Sequence, residues 1–282
     1  MDALLKPPKV RQMGPVRHAI NRGGPFILGF VLTLFVVVIA WRSWAMPMYG
    51  DLENVAHAGG GIGNVNYING IVALDNSYAN GFRFFEMDFQ RTSDDAIVCS
   101  HDWDDYNGKA PTLVQFLQRQ KSELYAKCTV DQAVDWFRHH PDTTLIADIK
   151  DAADVVRIAS ALHVELGTQV LPQVFDTDEA ETLAGAGRFP VIVALYKQPN
   201  TLAKLSLIGS IRGRRIPVWA VAMSRTDVYA GLALWAKLWI DAPVYSYTVN
   251  SCNDQPWVDL LGADAIYTDY LPVHACESTT AN

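Results

Sequence analysis

The chain has 282 residues, half of them apolar and 19% charged. That balance excludes a disordered or low-complexity protein, which could not bury enough apolar surface to offset its chain entropy. The net charge of -7 divides into +5 over residues 1–45 (Lys6, Lys9, Arg11, Arg17, Arg22 and Arg42 against Asp2) and -12 over the rest; so acidic a body excludes general nucleic-acid binding, which needs a cationic surface.

The first element in chain order is an apolar run. Between Arg22 and Arg42 stand 19 uncharged residues, GGPFILGFVLTLFVVVIAW, about 29 Å as a helix and close to the thickness of a bilayer hydrocarbon core. A buried core helix seldom runs so long without a polar face. A cleaved signal peptide has a shorter apolar region and a small-residue cleavage site, of which Ser43-Trp44-Ala45 is a poor version. The run therefore predicts a transmembrane signal anchor over 23–45, preceded by a basic cytoplasmic tail over 1–22. Because Lys and Arg concentrate ahead of the span, the positive-inside bias predicts a single-pass protein whose body, 50–276, lies outside the cytoplasm, in the periplasm if bacterial.

From Asn54 onward, short apolar runs alternate with amphipathic stretches of helix length. The strand candidates are NVAHAGG, FRFFEMDFQ, TTLIADIK, LPQVFD, FPVIVALYK, IPVWAVAM, APVYSYTV and DAIYTDY. Helices are predicted over 71–79, 112–120, 130–138, 152–163, 177–186, 202–208, 227–239 and 255–261. Asp151, Asp176, Asn200 and Asp254 stand where N-caps belong. Eight strands alternating with helices predict an α/β fold, a (β/α)8 TIM barrel preceded by the N-terminal helix; an open doubly wound sheet is the alternative. Of the four cysteines, Cys99–Cys128 and Cys252–Cys276 are the most local of the possible pairings, and four unpaired thiols are the alternative. None forms a CxxC pair, so zinc is not expected.

In such a barrel the reactive groups sit at the C-terminal ends of the strands. Read in order, those ends supply His57, then Glu86 and Asp88, then His101, then Asp148 and Lys150, and later Lys197, Tyr247 and Asp269. Residues two apart on a strand point to the same side, so Glu86 and Asp88 share a face and Asp148 and Lys150 share another. Converging carboxylates repel unless a cation lies among them, and a hard divalent ion, Mg2+ or Ca2+, suits oxygen ligands. Two histidines beside it suit acid–base chemistry, and Lys150 adds a fixed positive charge for a phosphoryl oxygen. Together these groups describe phosphodiester cleavage. Lys197 and Asp269 read as structural or peripheral.

The stretches HAGGG, GFRFFEMDFQRTSDDAIVCSHD, IADIK, YSYTVN and DAIYTDY resemble the motifs of the glycerophosphodiester phosphodiesterases: HRG, a Glu-x-Asp, a hairpin ending in His-Asp, a Glu-x-Lys, a Trp-Thr-Val-Asn and a final Thr-Asp. The resemblance spans about 56–271. It implies His57 and His101 as the acid–base pair, Glu86, Asp88 and Asp148 as ligands of one divalent cation, Lys150 on phosphate, and Tyr247 where the family has a substrate-facing tryptophan. Two positions depart from the pattern. Ala58 replaces an arginine that would clamp phosphate in two places, and Asp148 replaces a glutamate. Both lean toward the sphingomyelinase D-like phospholipases, which resemble this family and release the headgroup as a cyclic phosphate forms. The expected partners are a phosphodiester metabolite or lipid headgroup, and the membrane through the N-terminal helix. The readings in competition are that headgroup transferase, a non-catalytic barrel binding an envelope polymer, and a glycoside hydrolase, which would leave both histidines unemployed.

Overall fold

A computed structural model describes residues 52–119, 122, 125–187, 190–272 and 275–276, with Gly29 and Thr33. The apolar runs become strands β1 (Val55–Ala56), β2 (Phe84–Arg91), β3 (Ile97–Cys99), β4 (Thr144–Ile149), β5 (Val170–Val174), β6 (Val191–Ala194), β7 (Val218–Ser224), β8 (Val244–Tyr247) and β9 (Ala265–Thr268). Eight of them run parallel in the order β1-β9-β8-β7-β6-β5-β4-β2. The ring closes because β1 pairs with β2 on one side and β9 on the other. Closure rules out the open sheet and removes the exposed edges that such a sheet would carry.

The short β3 is antiparallel to β2, with Phe89 opposite Cys99, and lies outside the eight expected strands. Three residues are too few for a periodic signal. The helices are α1 (Ile71–Ala79), α2 (Leu113–Gln118), α3 (Val130–His139), α4 (Val155–Leu166), α5 (Thr177–Gly187), α6 (Thr201–Arg214), α7 (Arg225–Tyr229), α8 (Leu232–Ile240) and α9 (Gln255–Leu260). The helix expected over 227–239 is broken between α7 and α8, where Gly231 has φ +86°. Asp151, Asp176 and Asn200 cap as expected, accepting from Ala153, Glu179 and Ala203. Asp254 instead bonds Arg225 at 2.6 Å.

Strand parity decides what faces inward. On β2, Phe85, Met87 and Phe89 point outward into the layer shared with the helices, while Phe84 packs within the barrel. Inside, Phe84 stacks on Trp219 (centroids 5.4 Å apart), and Trp219, Tyr245, Tyr267 and Tyr247 continue an aromatic chain upward. This floor leaves the C-terminal ends of the strands to polar groups.

Cys252 and Cys276 form a disulfide. Cys99 and Cys128 are buried thiols in contact, Sγ to Sγ 2.6 Å. Of the two local pairings expected, one is therefore a bond and the other a juxtaposition.

The expectation of a single-pass membrane protein with an extracytoplasmic body is corrected: among the described residues no helix is long and apolar enough to cross a membrane. The predicted anchor, 23–45, lies outside the described residues apart from Gly29 and Thr33. The run opens on Gly23, Gly24 and Pro25, which propagate a helix poorly, so its lack of charge does not by itself give a helix of that length.

The turn after β1 explains its glycines. His57–Gly59 is a single helical turn followed by Gly60 at φ +95°, and a Cβ on Gly60 would lie 1.9 Å from the Ser77 hydroxyl. Gly60→Ala should therefore cost about 1–3 kcal/mol, from left-handed backbone strain plus overpacking. Urea unfolding checks this; an unchanged midpoint would show that the turn relaxes freely.

Candidate functional site

The strand register gathers the acids. Asp88 on β2 stands opposite Asp148 on β4 in the parallel ladder, one pleat above Glu86. All three carboxylates are buried, and one oxygen from each lies within 4.8 Å of the others. Each is held by a specific donor. The backbone N–H of Ala58 donates to Glu86 Oε2 at 2.7 Å. The Asn69 amide donates to Asp88 Oδ2 at 2.7 Å, while its carbonyl accepts from the Asp88 N–H at 3.0 Å. The Tyr196 hydroxyl donates to Asp148 Oδ2 at 3.1 Å.

Lys150, just past β4, lays its ammonium between two of the acids, 2.5 Å from Asp88 and 2.7 Å from Asp148. Burial alone would lower its pKa; Asp88, Asp148 and Glu86 outweigh that and raise it. Burial raises the Glu86 carboxyl well above the usual carboxylate range, reinforced by Asp88 and Asp148. Asp148 is raised for the same first reason. Asp88 goes the other way: burial would raise it, but Lys150 holds it below its ordinary value.

The cluster lines a cavity of about 190 Å3 at the barrel mouth, with His57, His101, Tyr196 and Tyr247 also on its walls. Lys150 is the one lysine or arginine among its described lining residues. The Tyr247 hydroxyl is buried with no hydrogen-bond partner among the described residues. Ala58 is fully buried and supplies no cation.

His57 Nδ1 lies 2.9 Å from Asp269 Oδ1. A carboxylate can only accept, so Nδ1 carries the proton and Nε2 is left for the cavity. Asp269 is itself fixed by the amide of Asn250 at 2.6 Å and that of Asn66 at 3.3 Å. Burial would raise its pKa, but the hydrogen bond from His57 and these amides hold it below the ordinary value. Asp269, expected to be peripheral, is thus in direct contact with a candidate catalytic group. His101 is 45% exposed and pairs with Asp102 at 3.0 Å.

Between the two histidines stands Tyr67. Its ring meets both edge-on, 4.7 Å from His57 and 5.1 Å from His101 by centroids. Ala58, Tyr67 and Asn69 all have positive φ, at 50°, 54° and 45°, an unusual concentration of strained backbone around one cavity. Tyr67, Asn69, Tyr196 and Asn250 were not singled out in the sequence. The one signal that could have found Tyr196 is its place at the C-terminal end of a barrel strand. Lys197 lies at the edge of the site, its ammonium 3.1 Å from the Lys150 carbonyl and 3.6 Å above the Phe175 ring.

Every residue expected in the site, namely His57, Glu86, Asp88, His101, Asp148, Lys150 and Tyr247, lines this one cavity. The donor set, three buried carboxylates and no sulfur, fits a hard divalent cation.

No known family model matches the sequence, and no curated protein is similar to it. Solved structures do match. A glycerophosphodiester phosphodiesterase from Parabacteroides distasonis is 16% identical with a TM-score of 0.65, covering 82% of this chain and 99% of its own. One from Agrobacterium tumefaciens is 15% identical at TM-score 0.58, covering 82% and 99%. An Oleispira antarctica phosphodiesterase, solved with the product sn-glycerol-3-phosphate, is 16% identical at TM-score 0.60, covering 84% and 98%. The chain has the barrel fold of the glycerophosphodiester phosphodiesterases, as the motifs led one to expect.

Proposed function

We propose that the protein is a phosphoric diester hydrolase that cleaves glycerophosphodiester-type substrates, with residues 50–276 as the catalytic domain. The observation that carries this reading is the juxtaposition, in one cavity, of three buried carboxylates, one ammonium and two histidines. The Oleispira enzyme was solved with the product sn-glycerol-3-phosphate, a small phosphomonoester of the kind this reaction would release.

Glu86, Asp88 and Asp148 would hold one divalent cation, Mg2+ or Ca2+, which supplies charge neutralisation at a phosphoryl oxygen. Lys150 binds a second phosphoryl oxygen. Tyr247 presents its unpartnered hydroxyl to the substrate. His57, with Nδ1 committed to Asp269, uses Nε2 to take a proton from the attacking water. As the water oxygen bonds phosphorus, the bond to the departing alkoxide oxygen breaks, and His101 donates the proton that this oxygen needs. Phosphorus NMR with glycerophosphocholine and Mg2+ or Ca2+ tests the assignment: a metal-dependent phosphomonoester signal supports it. Ala58 and Asp148 favour a second reading, in which a substrate hydroxyl replaces water. A cyclic phosphodiester that persists in the same experiment would select it.

Asp269 acts here as a positioning residue. Asp269→Asn should lower kcat/KM about a hundredfold, the lower end of general acid–base contributions, because an amide can fix the opposite tautomer of His57. The pH–rate profile should shift along with it, which loss of a merely structural contact would not cause.

A further inference from the structure

The two imidazoles are not held equally. His57 is tied to Asp269, which the amides of Asn250 and Asn66 fix in turn. Among the described residues the His101 ring hydrogen-bonds only Asp102, at 3.0 Å. Asp102 is its neighbour on the same exposed loop, so that bond moves with the loop and does not tie the ring to the barrel. We propose that Tyr67 is a positioning residue, its ring the spacer that sets the His101 imidazole against the fixed imidazole of His57. That His101 serves as the general acid rests on the phosphodiesterase reading; that Tyr67 holds its ring in place does not.

The segment around Tyr67 is pinned on both sides. The Asn66 amide donates to Asp269 Oδ2 at 3.3 Å and the Asn69 amide to Asp88 Oδ2 at 2.7 Å, while the Asn69 N–H donates to the Ala58 carbonyl at 3.0 Å. Between these anchors Tyr67 has φ 54°, a left-handed backbone that an aromatic residue adopts only where its surroundings impose it. The side chain is 45% exposed, so burial of an apolar group does not account for that conformation. Contact with the histidines does: the ring planes meet those of His57 and His101 at 80° and 74°, the edge-to-face arrangement that aromatic rings favour. Ser100 N–H, bonded to the Asp88 carbonyl at 3.0 Å, fixes the backbone before His101, and Tyr67 fixes the side chain.

Tyr67→Leu removes the ring. With Mg2+ or Ca2+ present, its kcat on an alkyl phosphodiester should fall about 10–100-fold at nearly constant KM, the size of effect that a misplacement of about 1 Å produces. On a p-nitrophenyl phosphodiester, whose departing oxygen needs no proton, the loss should be far smaller. Tyr67→Phe keeps the ring and should retain most of the parental rate on both esters. Tyr67→Gly, which suits the left-handed backbone, guards against misfolding and should behave as Tyr67→Leu does. A raised KM at constant kcat, equal losses on both esters, or a Phe variant as slow as the Leu variant would overturn the proposal. A second readout is independent of turnover: proton–carbon NMR of the seven histidine imidazoles in the full chain without substrate. The His57 and His101 signals, assigned from their alanine variants, should lose the ring-current shift of Tyr67 in Tyr67→Leu and keep it in Tyr67→Phe. An unmoved His101 signal would overturn the proposal whatever the rates. A moved signal in a chain that cleaves neither ester would keep the contact and sink the phosphodiesterase reading.

Discussion

His101→Ala should lose at least a hundredfold in rate on an alkyl phosphodiester and far less on a p-nitrophenyl phosphodiester. Its departing oxygen is stable as the anion and needs no proton. His57→Ala should lose at least a hundredfold on both, because activation of water is required whichever group leaves. Contributions of this size are typical of positioned acid–base groups. The asymmetry follows from placement: His57 is 14% exposed and tied to Asp269, while His101 is 45% exposed on the wall of the same cavity. Phosphorus NMR for the alkyl ester and absorbance for the aryl ester read the two rates. Equal losses on both substrates in both variants would remove the division of labour, and near-parental rates would remove the roles.

The second large effect concerns stability rather than rate. Lys150→Met leaves Glu86, Asp88 and Asp148 buried with one cation fewer, and removing one partner of a buried ion pair costs about 3–5 kcal/mol. In chelator-treated protein at neutral pH this should lower Tm by roughly 10 °C or more for a domain of this size. Millimolar Mg2+ or Ca2+ should raise the variant's Tm by more than the parent's, since an ion that binds only the native state stabilises by mass action and no longer competes with the ammonium. The pH dependence has a defined sign. Burial holds Glu86 and Asp148 above their ordinary values. Each therefore favours the folded state below the usual carboxylate range, and that contribution is lost as pH rises through the raised folded value. The variant's deficit should accordingly shrink as pH falls through the raised folded values of these carboxyls, where they take up protons. A chelated variant as stable as the parent at pH 7 would show that the acids need no counter-charge.

Much of the barrel was legible because parallel strands are buried on both faces and read as unbroken apolar runs. FFEMDF and TLIADI carry acids inside such runs, and an acid there is too costly to be casual. What could not be read came from contacts between segments. Asn69 holds Asp88 across 19 residues and Asp269 holds His57 across 212; no spacing rule encodes either. Tyr67 sits in a loop without periodicity, and only the folded backbone places it between two histidines. Asp254 shows the same limit on a smaller scale, its cap position being overridden by a tertiary partner, Arg225. The N-terminal run failed as a membrane argument for a different reason: lack of charge was counted as helix length, although Gly23, Gly24 and Pro25 stand at its start.

Strand β1 is two residues long, yet it is the seam on which the ring closes, and His57 follows it directly. The partner on one side of that seam is β9, whose next residue is Asp269. His57 is therefore placed by the first strand, while its carboxylate partner follows β9. A chain cleaved before position 265 would carry both histidines, the three acids and Lys150, and still lack the hydrogen-bonded neighbour of β1 and the carboxylate that holds the imidazole.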